Sequence, residues 1–201
     1  MDNTKNRWEE FLDPDVLRGR LISASIYIAA FEMLKESIVG RIETFFSEGF
    51  DENGPIISAE YKEKVLSRNL SPLYASLAWL RENDVIDDAD LSEFETLKRC
   101  RNNLAHEMAG VIAGSVSIAY LEQLPRVAEM LRKIETWWIV NVEIPINPDF
   151  DDAEIDVAGI LPGPVLSLQM MVQVALGSPE ESTRLLNEFR KRWSQNEEKK
   201  S

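Results

Sequence analysis

The side chains best suited to chemistry in this chain lie in one short run, Leu97-Lys98-Arg99-Cys100-Arg101-Asn102-Asn103-Leu104-Ala105-His106-Glu107. His106 is the only histidine of the 201 residues, and it stands five positions after Arg101. A guanidinium keeps its charge at any working pH, whereas an imidazole can give or take a proton near neutrality. That pair suits phosphate-ester cleavage. The histidine can remove a proton from a hydroxyl nucleophile while the arginine offsets the charge that builds on the phosphorus oxygens. RNA carries its own nucleophile, the 2′-hydroxyl. Lys98 and Arg99 form a basic island beside the pair and are the candidate RNA contacts.

The run reads as helix. At 100° per residue, Phe94, Leu97, Arg101, Leu104 and Met108 fall in one stripe, which sets Arg101 in an apolar face where an unpaired charge is costly. Glu95, Glu107 and Glu122 are its candidate carboxylate partners. Asn102 and His106 share another face, so the Asn102 side chain can reach the imidazole. Arg101 and His106 lie roughly 140° apart and cannot meet within a straight helix. Either the helix breaks before His106 or two copies supply the pair across an interface.

The elements that must hold this run are helices throughout. Asp13-Pro14 is a start signal, and apolar residues from Leu17 to Phe46 recur at three- and four-residue steps, predicting a long helix over Pro14–Ser47. Glu48–Pro55 carries turn chemistry, and a shorter helix follows over Ser58–Arg68. Ser71-Pro72 starts another, to about Asn83. Asp90 and Glu93 have capping-box spacing for the helix of the motif. Gly110 and Gly114 loosen the chain, and a helix over Val116–Val142 contains Pro125, which predicts a kink or restart near Leu124. Ile139–Ile146 could form a lone strand. Residues 143–164 read as an acidic loop or linker, with Asp149, Asp151, Asp152, Glu154 and Asp156 among prolines. Two helices, Pro164–Leu176 and Pro179–Gln195, form a C-terminal extension over 165–195, and the end from Asn196 frays.

Composition narrows the function classes. Lys and Arg number 22 against 35 Asp and Glu, a formal charge of −13, which excludes a conventional DNA-binding surface. The apolar stretch Leu21–Phe31 is broken by Glu32, Lys35 and Glu36, and the N-terminus lacks the apolar core of a signal peptide, so a soluble cytoplasmic protein is expected. One cysteine, Cys100, cannot form an internal disulfide, and one histidine with one cysteine makes a poor zinc site. No metal and no cofactor are expected. Cys100 faces away from His106 and reads as a small packing residue. Trp137-Trp138 and Met170-Met171 read as packing or dimer contacts, and the acidic run Phe150–Asp156 lacks the spacing of a calcium loop.

The segment Arg101-Asn102-Asn103-Leu104-Ala105-His106 resembles the R-[polar]-x-x-x-H signature of the HEPN domain superfamily. The frame is also similar over Pro14–Val142: a long first helix, a helix ending near the motif and a long helix behind it. The resemblance implies an all-α antiparallel helical bundle (residues 14–142), a homodimer and, in many members, a metal-independent endoribonuclease of toxin or antiviral defence systems. In that family's terms Arg101 would stabilise the scissile phosphate, Asn102 would orient the histidine, and His106 would be the general base. The mannitol operon repressor family is similar in outline, through the helix of Ser25–Leu34 and the same motif end. Other members of the superfamily are non-catalytic interaction or regulatory modules, which makes a protein partner the rival expectation. A third is an antitoxin-like partner whose acidic face mimics nucleic acid. No membrane is expected among the partners.

Overall fold

The computed structural model describes residues 2–52, 54–150 and 154–198. It is all-α in character: 77% helical, with nine α-helices and one small two-stranded sheet among the described residues. The elements are α1 (Asp2–Leu12), α2 (Pro14–Phe45), β1 (Ser47–Asp51), β2 (Gly54–Ile57), α3 (Ala59–Lys64), α4 (Pro72–Glu82), α5 (Asp88–His106), α6 (Met108–Ile112), α7 (Tyr120–Trp138), α8 (Gly163–Leu176) and α9 (Pro179–Glu198).

Helix α2 is the axis. Asp13 caps it by accepting from the backbone N–H groups of Asp15 and Val16, and Pro14 occupies its first turn. Its apolar stripe of Tyr27, Ala30, Phe31, Leu34, Ile38 and Ile42 is buried. Helix α7 presents the matching stripe of Leu124, Val127, Leu131, Ile134 and Trp138. Ser23 hydrogen-bonds the Tyr120 hydroxyl, and Ser37 bonds Glu135, so the two helices run parallel. The intervening α5 runs against both. Phe94 stacks on Phe31 at 5.8 Å, Arg126 reaches Glu93, and Lys133 reaches Asp90. Helix α8 flanks the other side of the α2–α7 pair, burying Val165 and Leu168.

Several elements depart from the sequence reading. The capping box of α5 sits one turn earlier than Asp90 and Glu93. Asp87 accepts from the Asp90 N–H while the Asp90 carboxylate accepts from the Asp87 N–H. The stretch read as a loop, Glu48–Pro55, folds into the antiparallel β1–β2 hairpin, with Gly54 at a φ of +121°. Helix α7 continues through Pro125, with no restart at Leu124. The carbonyl that loses its bond is that of Leu121, on an exposed first turn where water can serve it. Ile139–Glu143 forms a π-helical turn in place of a strand. Helix α1 lies ahead of the Asp13-Pro14 start, where the sequence predicts no element, and α9 runs on to Glu198, past the expected fraying point. The acidic segment holds only short 3₁₀ turns at Pro148–Phe150 and Val157–Gly159, and Asp151 and Asp152 lie outside the described residues.

Candidate functional site

Helix α5 carries the whole motif without a break to His106, and Glu107 closes it by donating its N–H to the Asn103 carbonyl. The first of the two ways of joining Arg101 and His106, a broken helix, is therefore absent. Phe94, Leu97 and Leu104 are buried, as the apolar stripe required, and Arg101 is half-buried between them.

The partner of Arg101 is none of the three carboxylates named from the sequence. Its Nη2 donates to Glu32 Oε1 of α2 at 2.6 Å, across a separation of 69 residues. Glu95 is instead taken by Tyr74, and Glu107 and Glu122 are exposed. No local signal marks Glu32, because only the packing of α5 on α2 brings it near. The guanidinium is incompletely satisfied. Nη1 donates to Asn102 Oδ1 at 3.4 Å, and the buried Nε–H has no acceptor among the described residues.

Asn102 thus turns its carbonyl oxygen toward Arg101, not toward the imidazole. His106 is exposed and makes no hydrogen bond or ion pair among the described residues. Its position does group it with other polar residues. Glu95, Lys98, Asn102 and His106 recur at steps of three, four and four, within roughly 80° of one helical face.

Tyr74 of α4 clamps the start of that face. Its hydroxyl accepts from Lys98 Nζ at 2.6 Å and donates to Glu95 Oε1 at 2.6 Å. Lys98 is therefore held in place and partly neutralised, while Arg99 points into solvent. The basic island is weaker than its composition implied, with Arg101 and Lys98 each answered by a carboxylate directly or through a hydroxyl. Cys100, on the opposite side of α5, is half-buried against Tyr27. Burial, aided by Cys100, pushes the Tyr27 phenol far above its ordinary range, and its hydroxyl donates to the Leu97 carbonyl at 3.2 Å.

A second polar centre lies at the other end of α2. Glu135 is 1% exposed, yet it accepts from Ser37 and from Arg41, whose Nε lies 3.1 Å from Oε2. Arg41 also reaches Glu143 at 2.8 Å, and the hydrogen bond to Glu135 raises its pKa above the usual arginine value. A cleft of about 430 Å³ opens beside this clasp, between α2 and the start of α8. Glu135 and Arg41 were not singled out from the sequence, since each is an ordinary charged residue until α2 and α7 meet. Among the described residues no three of His, Cys, Asp and Glu are grouped to hold a metal ion. Trp137 and Trp138 pack, as read from the sequence: Trp138 stacks on Trp79 at 5.9 Å and meets Phe45.

No protein-family model, curated protein or solved structure matches this chain.

Proposed function

We propose that the α5 face is a metal-independent RNA-cleaving site completed by two copies of the chain, of the kind found in toxin and antiviral defence systems. The observation that carries this reading is His106, the sole histidine, standing exposed, its side chain without a partner among the described residues, on the face that also bears Lys98 and Asn102. Since α5 is continuous, His106 would work with Arg101 of the other copy. One imidazole takes the 2′-hydroxyl proton, the 2′-oxygen forms a bond to phosphorus, and the bond from phosphorus to the 5′-oxygen breaks. The second imidazole, protonated, gives that oxygen its proton. Arg101 answers the added charge on the phosphorane oxygens. A phosphate would compete with Glu32 for the guanidinium, and the separation of Arg101 from Glu32 belongs to substrate binding.

RNA cleavage in EDTA by wild type, Arg101→Ala and His106→Ala tests this reading. The expected result is products ending in 2′,3′-cyclic phosphate, lost in both folded variants. Full activity in His106→Ala would sink it.

A second reading, a non-catalytic interaction module, draws on the ion pair between Arg101 and Glu32, which also serves as a clasp between α5 and α2. It predicts no cleavage of any RNA and a loss of stability in Arg101→Ala.

A further inference from the structure

Helix α8 is apolar on two opposite sides, and its own bundle covers one. Val165, Leu168 and Val172 face α2 and α7, whereas Leu166, Met170 and Val174 recur at four-residue steps on the far side, each 42–49% exposed. An apolar stripe left open on the far side of a helix is a surface suited to burial against a partner. Beside it α9 aligns Leu186, Phe189 and Trp193, 47–59% exposed, with the last two rings 5.6 Å apart. Helix α9 packs chiefly on α8.

Charge favours one occupant for this surface. Residues 157–179 contain no Asp, Glu, Lys or Arg in a chain that is 28% charged. Two copies that each carry −13 approach one another here with the least repulsion.

Area agrees. Six half-exposed side chains, at ~200 Å² each when fully exposed, offer roughly 600 Å² per copy. Flanking atoms bring this near the ~800 Å² per partner of a standard interface. The segment Val157–Leu176, of mean hydropathy 1.5, is long and apolar enough by composition to cross a membrane. However, α8 itself has 14 residues, ~21 Å of helix against a core of ~30 Å, and one of its sides is already buried in the bundle.

We propose that the α8–α9 hairpin is a self-association surface, on which the hairpins of two copies pair face to face about a two-fold axis. It is separate from the α5 face. On α7, the residues that meet α5 (Arg126, Lys133) and those beside α8 (Pro125, Ala128) lie roughly 120° apart. The surface does not depend on the nuclease reading, and RNA cleavage does not report on it.

Sedimentation velocity of the full chain across roughly 1–100 µM tests the proposal. Wild type is expected to sediment as a dimer or a higher even assembly. Met170→Glu/Phe189→Glu should weaken hairpin pairing ~100-fold or more, with helicity by circular dichroism unchanged. Leu166→Lys, on a helix anchored by Val165 and Leu168, should do the same if the double variant loses helicity. Leu70→Glu, at a fully exposed loop position, should leave assembly unchanged. Three results would overturn the proposal: a wild type that is monomeric at the highest concentration, assembly unchanged in the α8 and α9 variants, or a monomer that pellets with phosphatidylglycerol vesicles through the same residues.

Discussion

Replacing Arg41 by Met isolates the energetics of the buried clasp between α2 and α7. The variant keeps the aliphatic bulk but leaves Glu135, whose side chain is 2% exposed, with Ser37 as its remaining partner. Breaking a buried ion pair on one side costs about 3–5 kcal/mol, because the stranded charge stays desolvated. Arg41 is itself 35% exposed and shared with Glu143, so the lower end applies, about 3 kcal/mol. In a chain of this length that lowers Tm by roughly 6–12 °C. Glu135→Met alone should cost less, about 1–2 kcal/mol, since Arg41 retains Glu143 and solvent. The double variant places two apolar side chains where the pair was and should lie within about 1–2 kcal/mol of wild type. Urea denaturation at pH 7, followed by circular dichroism, measures all three, with an unchanged m-value confirming comparable unfolding. A double variant that loses as much as the two single variants summed would refute a clasp held by a buried ion pair, and so would an Arg41→Met variant that loses less than about 1 kcal/mol.

Two further outcomes follow from particular side chains. Burial, reinforced by Glu43 at 3.3 Å, pushes the Tyr61 phenol up to about 12 in the folded protein. The unfolded chain releases that proton near pH 10, so folding stability is fully present below about 10 and is lost as pH rises toward 12. Tyr61→Phe should flatten that part of the alkaline stability curve, and a curve identical to wild type would discount this phenol. Gly114 sits at a φ of +69°, where an added Cβ would approach Arg20 Nη1 to 2.7 Å. Gly114→Ala should therefore cost about 1–2 kcal/mol in thermal denaturation and push Arg20 away from the Ile112 carbonyl; no loss would show the turn to be adaptable.

Local chemistry made much of this molecule legible without its fold. The Asp13-Pro14 start, the three- and four-residue apolar steps of α2, the Ser71-Pro72 start of α4 and the turn between α8 and α9 each act over one or two helical turns. The all-α class and most helix bounds therefore stand in the sequence. So does the helical character of the run carrying Arg101, Asn102 and His106, with Arg101 inside an apolar stripe, whereas the unbroken course of α5 to His106 is decided by the tertiary structure. The β1–β2 hairpin has a local signal as well, the Asn-Gly dipeptide at positions 53–54, although turn chemistry alone reads Glu48–Pro55 as a loop.

What the sequence left open depends on contacts between distant residues. Three carboxylates near the motif were plausible partners for Arg101, yet the packing of α5 on α2 selects Glu32. The same packing, with α4, fastens Lys98 to Tyr74 and turns Asn102 toward Arg101. Glu135 becomes a buried charge only because α2 and α7 run parallel and place Ser37 and Arg41 against it. The composition of α8 already showed a helix without charge, but only the tertiary structure decided which side meets the bundle and which remains open. A helix's periodicity is set by hydrogen bonds four residues apart, whereas the neighbour of each face is set by the packing of the whole chain.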